Sequence, residues 1–581
     1  MQNQRLLIWV TFGMMLWLTY QAWVQDYAPR PEPAGAPVST EPGQPTPPDA
    51  DPSLPALPET ELGDADAPQI IDDAPALDDT RQAADADADP AGQVVTVLTD
   101  VLDLEFSTRG ATLISARVRN YPVDKDNPDV VVSLLNPGGP DYAVIQTGLR
   151  ADGAGAEPNH LAEFETPAAR YDLGSAEELV IPFRWRNDAG VTVEKTFRLR
   201  RGSYRIDLEQ RVTNGSDALW RGAEYAQIHR RSAEQERSMF DVDSYSFDGP
   251  IIYDGEKSEK LDRDDLLDDG PLALRAEGGW IGSIQHHFVR ALVPPRNEEY
   301  RYSIAVRGDR ATLSLIGPAI IVPSDSEHTF DTTLFVGPKL QDQLEEVAES
   351  LKLTVDYGWL TIISQPLFWL MSWVHSFVAN WGVAIIIVTI LIKLVFYKLT
   401  EASGRSMAKM REIQPRMKAL QERYKDDRQA LSQQMMELYK REKVNPAAGC
   451  LPILIQMPFF LAFYWVLLES VEMRQAPFAL WITDLSSRDP YFILPIIMGA
   501  AMLFQQKLNP APADPVQAKV MQIMPIIFTV FFAFFPSGLV LYWVTNTVLS
   551  IAQQWYINKV VHEEATARKG GGKKKKDKAQ S

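Results

Sequence analysis

The chain has 581 residues, a formal net charge of −19 and one cysteine, which excludes an internal disulfide. Seven histidines without an HExxH or CxxC motif argue against a metal site, so we expect neither a metal nor another cofactor. Acidic residues dominate the first two-thirds, whereas basic residues flank the apolar segments of the last third. This asymmetry and the length indicate several domains, at least one of them in a membrane.

The first 92 residues predict a membrane anchor followed by a tether. Leu6–Val24 is an uncharged apolar run, long enough at about 1.5 Å per residue to cross a bilayer core. Its aromatic end lacks an A-x-A cleavage site, so we expect residues 1–25 to be an uncleaved transmembrane anchor rather than a signal peptide. Residues 26–92 repeat Pro, Ala and Asp, which is typical of a disordered linker.

Residues 93–340 predict an all-β domain. Segments such as VTVEKTFRLRR and SYRIDLEQRVTN alternate apolar and polar residues, and turn sequences such as NPGGPD and TNGSD separate them. This pattern is typical of a large antiparallel β-sandwich. No cluster of acidic residues or histidines marks a catalytic site here, so we do not expect an enzyme.

Residues 341–380 allow two interpretations. QDQLEEVAESLKL predicts an amphipathic helix, and the GWLTIISQPLFWLMSWVHSFV that follows is long enough to span a bilayer. The next apolar run follows almost at once, and the tryptophans suit the headgroup layer. We therefore expect 358–378 to be an interfacial helix on the outer surface, with an inserted helix as the alternative.

Residues 381–557 contain five further predicted spans, which makes six with the anchor. Their approximate ranges are 382–399, 449–468, 491–506, 520–535 and 537–556. The connection 400–445 and the tail 558–581 are both rich in lysine and arginine, and the tail ends in GGGKKKKDK. The positive-inside rule places both segments, and both termini, in the cytosol and the β domain outside.

The connection 400–445 predicts a cytoplasmic helical hairpin. Apolar residues recur three or four positions apart and form a seam that includes Met407, Met410, Met417 and, on the return arm, Met435. A solvated coiled coil, a basic lid over a groove and a docking arm are all compatible with this pattern. The lysines of the tail predict attraction to anionic lipid, with ribosomal RNA phosphate as the alternative.

Lys393 is the strongest candidate for a functional residue. It lies within AIIIVTILIKLVFY, where an unpaired charge costs about 2.5–3.5 kcal/mol. Its ammonium could snorkel to the nearby interface. Alternatively, Lys393 and Thr389, four residues earlier, share one helix face and line a wet groove.

Residues of the other spans could complete such a groove. The polar candidates are Gln456, Thr545 and Asn546, and the apolar candidates for contact with hydrophobic substrate helices are Met457, Phe460, Phe531, Tyr542 and Trp543. No carboxylate within these spans can pair with Lys393. A lone cation argues against a transporter or channel and favours transient attraction of an acidic polypeptide.

Several blocks resemble the YidC family of membrane protein insertases. They are K-x-N-P-x-x-G-C-x-P-x-x-I-Q-x-P from Lys443, SMAKMREIQPRMKAL, RQAPFALWITDLS and IMPIIFTVFFAFFPSGLVLYW, and FSTRGATLISARV resembles the first hairpin of the family's periplasmic domain. The resemblance implies a five-helix core with a hydrophilic groove open to the cytosol and to lipid. Family members usually carry arginine at the position of Lys393, so lysine keeps the charge but not the guanidinium fork.

The resemblance implies a polytopic α-helical protein of the inner membrane with an all-β periplasmic sandwich domain. Its partners would be nascent membrane proteins and the lipid bilayer, and it would insert and help fold its clients alone or with the Sec translocon (SecYEG and SecDF). No small-molecule substrate and, without a GxxxxGK[ST] motif, no nucleotide are expected. The alternatives are a transporter or channel, or a membrane-tethered periplasmic binding protein.

Overall fold

The computed structural model describes residues 92–577 except 126, 152–156, 232–245, 426, 443, 445–450 and 509–514. The predicted anchor (1–25), all but the last residue of the predicted linker (26–92) and most of the KVNPAAGC motif lie outside these ranges. The described chain has a β domain followed by a helical part, in agreement with the predicted order.

Nineteen strands are described in the β domain. They are β1 Val94–Leu98, β2 Leu102–Ser107, β3 Thr112–Asp124, β4 Asn127–Leu135, β5 Ala143–Ala151, β6 Arg170–Asp172, β7 Glu178–Arg186, β8 Val191–Arg200, β9 Arg205–Asn214, β10 Trp220–Arg231, β11 Asp248–Tyr253, β12 Ser258–Lys260, β13 Leu272–Glu277, β14 Trp280–Gln285, β15 Phe288–Val293, β16 Glu299–Arg307, β17 Arg310–Ile316, β18 Ile320–Val322 and β19 Ser326–Pro338.

The strands form two sheets that pack face to face. The first has the order β13-β16-β17-β10-β5-β3-β2-β1-β6, with β18 paired to β10 and β4 paired to β3, and the second has the order β12-β11-β14-β15-β19-β9-β8-β7. Phe106 of the first sheet packs on Phe183 and Phe197 of the second, with ring centroids 4.7–5.9 Å apart. The predicted β-sandwich is therefore confirmed.

The predicted first hairpin is formed by β2 and β3, with Leu104 opposite Ala116. Its turn contains Gly110 at φ 69°, and a Cβ added there would lie 2.3 Å from the carbonyl oxygen of His160. This turn therefore requires glycine. The strand pairs are antiparallel, as predicted, except at one edge, where β6 runs parallel to β1.

One lysine lies on the core face of the second sheet. In β8 every second residue points inward, and Lys195 occupies one of these positions. Its Nζ donates hydrogen bonds to Gly110 O (2.7 Å) in the β2–β3 turn and to Thr147 O (2.6 Å) on β5 of the first sheet. Burial lowers the pKa of Lys195 well below its usual value. The lysine thus joins the two sheets by hydrogen bonds instead of filling the core with an apolar side chain.

The described helices are α1 Arg263–Asp268, α2 Gln341–Val347, α3 Thr361–Val378, α4 Trp381–Val395, α5 Tyr397–Arg423, α6 Arg428–Arg441, α7 Leu451–Glu469, α8 Ile493–Leu508, α9 Pro515–Phe532 and α10 Ser537–Asp577. Short 3₁₀ turns lie at Glu349–Thr354, Gly358–Leu360 and Val471–Met473. In the helical part α10 packs against α4, α5 and α8, and α3 packs against α4 and α7.

The predicted span 382–399 is too long at its end. Helix α4 stops at Val395, and α5 leaves at an angle of 69°. The bend allows α5 to pack on α10, where Ala408 contacts Ile557 and Val561. Composition could not reveal it, because the apolar residues continue through Leu399.

Three other predicted boundaries also differ. Helix α8 starts two residues later than predicted, at Ile493, because Phe492 has φ 55° and the Asp489 carboxylate accepts the backbone N–H of Leu494 at 2.7 Å. Helix α9 stops at Phe532, before the turn that leads to Pro536. Helix α10 continues beyond the predicted last span, through the predicted tail to Asp577.

Among the described helices, none is by itself both long and apolar enough to cross a bilayer. The bent pair α4 and α5 meets that criterion when the two helices are taken together. Ile455–Glu469, Ile493–Leu508 and Lys519–Phe532 are shorter apolar helical segments.

Candidate functional site

Helix α4 positions the two predicted polar residues of the groove. It begins at Asn380, whose side chain caps the helix by accepting the N–H of Val383 at 3.0 Å. Thr389 is buried, and its hydroxyl donates to Ile385 O of its own helix at 2.6 Å. Lys393, one turn later, is partly buried and faces α10. The two residues share a face of the helix, as predicted.

Lys393 binds a residue that sequence reasoning missed. Its Nζ donates a hydrogen bond to Ser550 Oγ of α10 at 2.7 Å. Ser550 Oγ in turn donates to Asn546 O at 2.7 Å, and Asn546 Nδ2 lies 3.4 Å from the hydroxyl of Tyr542. The spacing of four residues from Tyr542 to Asn546 to Ser550 is the sequence signal that could have identified the serine.

The remaining polar candidates are arranged differently. Thr545 is also on α10, but its hydroxyl donates to Leu541 O of the same helix at 2.8 Å. Gln456 is a partly buried residue of α7. Among the described hydrogen bonds, Lys393 is linked to Ser550. Neither Thr545 nor Gln456 has a described hydrogen bond to Lys393.

The charge of Lys393 is not neutralised within the described part of the chain. There, the described contact of the ammonium is the hydrogen bond to Ser550, and no described ion pair includes it. A hydroxyl such as that of Ser550 accepts a hydrogen bond but carries no net charge. The arrangement therefore leaves a positive charge among apolar helices, with part of its hydrogen-bonding capacity available.

The apolar candidates fall into two groups. Phe460 lies 4.7 Å from Trp543 and 6.3 Å from Tyr542 between ring centroids, and Tyr542 stacks on Phe463 at 4.3 Å. These residues form one aromatic cluster between α7 and α10. In contrast, Met457 and Phe531 are 38% and 52% exposed and provide accessible apolar surface.

The predicted hairpin is formed by α5 and α6. Asp427 caps α6 by accepting the backbone N–H of Ala430 at 2.9 Å. The apolar seam between the arms contains Met410, Met417 and Met435, together with Ile413, Leu420, Leu438, Tyr439 and Val444. Met407 is partly buried but does not belong to this described cluster, because α5 faces α10 near that position.

The β domain contacts the C-terminal end of α7, which the sequence did not predict. His287 Nε2 donates to Leu468 O at 2.9 Å, and burial holds the pKa of His287 well below its usual value, so the ring is neutral. Gln475 Nε2 donates to Pro122 O at 2.8 Å, and Tyr357 Oη lies 3.4 Å from Ser470 Oγ. The helix whose aromatic residues border the site is thus fixed to the sandwich.

Glu472 reinforces this junction. The residue follows α7 in a 3₁₀ turn and is close to Gln341 and Asp342 at the start of α2. Burial raises the pKa of Glu472 to about 7, with a smaller contribution from Asp342 in the same direction. A carboxyl of the helical part is therefore buried at the junction with the β domain.

Comparisons with known proteins cover both parts of the chain. Residues 94–370 match the family model described as the YidC periplasmic domain, and residues 373–564 match the model described as 60Kd inner membrane protein. A solved structure described as an active YidC insertase with its first transmembrane domain resolved is 18% identical, with a TM-score of 0.37, over 80% of this chain and 93% of that chain.

Curated relatives match over almost the entire length. The membrane protein insertase YidC of Nitrosococcus oceani is 45% identical over 569 residues, which cover 97% of this chain and 100% of the relative. The protein of the same name from Thioalkalivibrio sulfidiphilus is 46% identical over 584 residues, covering 98% and 100%. The chain therefore belongs to the YidC family of membrane protein insertases.

Proposed function

We propose that the chain inserts membrane proteins through a groove formed where α4, α7 and α10 meet, with Lys393 as its positive charge. The observation that carries this proposal is the contact of Lys393 Nζ with Ser550 Oγ on the side of α4 that faces the bundle. A lysine that only snorkelled would extend toward the headgroup layer and would not need a hydrogen-bond partner on a neighbouring helix. A charge held between helices is available to a polypeptide that enters between them.

The proposed membrane arrangement has six spans, with both termini in the cytosol and the β domain in the periplasm. Exposed apolar side chains on three helices support this arrangement, because soluble proteins rarely expose so many large apolar side chains together. They include Ile496, Ile497, Leu503 and Phe504 on α8, Ile523, Ile526, Ile527 and Val530 on α9, and Val548 and Trp555 on α10. In this arrangement these side chains face lipid.

Helix α3 fits the interfacial position. Its buried face packs in the core through Leu367, Met371 and Val374, whereas the opposite face exposes Ile362, Trp369, Trp373 and Phe377. An exposed face rich in tryptophan is typical of a helix that lies at the headgroup level. We therefore propose that α3 lies along the outer surface of the bilayer and does not cross it.

In the proposed mechanism, a nascent span with an acidic outer segment enters from the cytosol. Lys393 attracts the acidic segment and lowers the cost of bringing its charge into the membrane. The membrane potential, worth about 2.3 kcal/mol per charge at 100 mV, draws the negative segment outward. The hydrophobic part then leaves along the exposed surface of Met457 and Phe531 into lipid.

No bond is made or broken in this process, so the proposed activity is not enzymatic and needs no nucleotide or metal. The clients are nascent membrane proteins. Cooperation with the Sec translocon is part of the proposal, as is attraction of the basic C-terminal segment to anionic lipid or to the ribosome. The α5–α6 hairpin would then stand at the cytosolic mouth of the groove.

Reconstitution of the full chain into lipid vesicles tests the proposal. The substrate is a small single-span protein with an acidic outer segment, added without ATP, and insertion is measured as protection from external protease. We expect protection that depends on the reconstituted protein. Protection no greater than in empty vesicles would refute insertion by this chain alone.

A further inference from the structure

The hydroxyl of Ser550 has a fixed role as donor and acceptor. Its single proton is directed at Asn546 O, 2.7 Å away on the same helix. Lys393 Nζ lies 2.7 Å from the same oxygen, and an ammonium can only donate. The lone pairs of Ser550 therefore face α4 and accept from the lysine. The backbone of α10 thus orients the hydroxyl that receives the charge.

We propose that Ser550 is the positioning residue of the groove charge: it holds the ammonium of Lys393 between α4 and α10 without neutralising it. This inference rests on the proposed insertase groove and adds to it a residue that determines where the charge is placed. A lysine side chain has four rotatable carbon–carbon bonds and would otherwise sample the nearby interface.

The position of Lys393 makes such a restraint necessary. The residue lies two positions before the end of α4, where the chain bends by 69° into α5. A free side chain at this point can turn toward the cytosolic hairpin, away from α10. The contact with Ser550 directs it instead toward the helix that carries Tyr542 and Asn546.

A hydroxyl suits this task better than a carboxylate. A carboxylate would form an ion pair and cancel the attraction for an acidic substrate. Ser550 accepts a hydrogen bond from one of the three N–H groups of the ammonium, and the other two can donate to a substrate carboxylate. The charge is therefore held in one place and can still attract a carboxylate, as selective binding of acidic segments requires.

The test compares two substrates in vesicles that contain the full chain: one single-span protein with an acidic outer segment and its variant with a neutral one. Ser550→Ala should slow insertion of the acidic substrate about tenfold, as expected for loss of a hydrogen bond to a charged group, and leave the neutral one unchanged. Ser550→Thr keeps the hydroxyl and should restore the rate. Ser376→Ala, which removes a hydroxyl that donates to Trp373 O on α3, is the matched control.

A double-mutant cycle separates positioning from general damage to the helix pair. If Ser550 acts through the lysine, adding Ser550→Ala to Lys393→Met should cause no further loss for the acidic substrate. Additive losses, or equal slowing of the acidic and neutral substrates by Ser550→Ala alone, would overturn the inference.

A second readout does not depend on insertion. A membrane-permeant amine reagent, with modification of Lys393 quantified by mass spectrometry, reports how firmly the ammonium is held. Ser550→Ala should raise the labelling rate of Lys393 several-fold, while Ser550→Thr and Ser376→Ala should not. If the wild-type chain inserted nothing but this pattern appeared, the proposed function would fail and the positioning role would stand. Unchanged labelling would refute that role.

Discussion

Lys339 and Glu469 form a buried ion pair that joins the β domain to the helical part. Their Nζ and Oε2 atoms are 2.9 Å apart, and the side chains are only 1% and 7% exposed. Lys339 directly follows β19, and Glu469 is the last residue of α7. Because the neighbouring Leu468 carbonyl also accepts a hydrogen bond from His287, the sandwich fixes the C-terminal end of a helix whose middle borders the proposed groove.

Breaking this pair should destabilise the protein strongly. Lys339→Met leaves the Glu469 carboxylate buried without its cation, which typically costs about 3–5 kcal/mol. The free energy of unfolding of the full chain, measured by urea titration in detergent micelles, should fall by that amount. Adding Glu469→Leu should recover most of the loss, because a buried pair can be replaced by apolar residues.

The control for this prediction is an exposed pair. Lys352 lies 3.6 Å from Glu345, whose side chain is 57% exposed. Lys352→Met should change the unfolding free energy by less than about 1 kcal/mol. Equal effects of the Lys339 and Lys352 substitutions would show that the junction is not held by its buried charges.

A second buried carboxyl makes the stability depend on pH. Burial raises the pKa of Glu224, in the sandwich core, from 4.5 to about 7, although Tyr300, Thr332 and Gln210 donate hydrogen bonds to it and lower it in part. Between pH 4.5 and about pH 7, Glu224 is deprotonated in the unfolded chain but still protonated in the folded chain. The free energy of unfolding therefore falls as pH rises. The loss is about 3 kcal/mol and is complete above pH 7.

Glu224→Gln should remove this contribution. Relative to the wild type, the variant should become more stable as pH rises from 4.5 to 8, measured as the difference between their urea unfolding free energies. The direct comparison is needed because Glu472, with a pKa also raised to about 7, gives both proteins a slope of the same sign. Parallel pH profiles for the two proteins would contradict the assignment.

Close packing at the start of α4 leads to a third prediction. A Cβ added at Gly382 would lie 2.2 Å from Cδ2 of Phe478, and the Phe478 carbonyl is itself held by Asn380 Nδ2 at 2.9 Å. Gly382→Ala should therefore lower the unfolding free energy by about 1–3 kcal/mol. Gly138→Ala, with no atom within 4 Å of the new Cβ, is the control and should have little effect. Similar Tm values for both variants would contradict this packing.

The β domain is expected to support insertion rather than perform it. A variant lacking residues 93–336 retains Lys393, Ser550 and the aromatic cluster, so it should keep measurable insertion in the vesicle assay. The matched control carries Lys393→Met in the same shortened chain. Complete loss of insertion in the shortened chain, with its helical content intact by circular dichroism, would instead favour a tethered binding protein.

The sequence predicted much of the fold for clear reasons. Alternating residues such as those of β8 identified the sandwich, and a charge at Lys393 within an apolar run identified the candidate site. The family resemblance predicted an insertase, which the full-length relatives confirm. The roles of the groove residues, the six spans and the Sec partnership stay predictions.

Tertiary contacts account for what the sequence could not reveal. The bend after Val395 follows from packing of α5 on α10, and apolar composition is the same on both sides of it. The Lys339–Glu469 pair joins residues 130 positions apart, so no local pattern marks it. The spacing from Tyr542 and Asn546 places Ser550 on the same helix face, but only the packing of α4 beside α10 shows that it contacts Lys393.

Reversing the charge at Lys393 tests the central claim most directly. The full chain and its Lys393→Glu and Lys393→Arg variants are reconstituted into vesicles without nucleotide, and protease protection is followed for the substrates with acidic and neutral outer segments. We expect Lys393→Arg to insert both and Lys393→Glu to slow the acidic substrate at least about tenfold while sparing the neutral one. Equal insertion of the acidic substrate by all three proteins would contradict an electrostatic role for this residue.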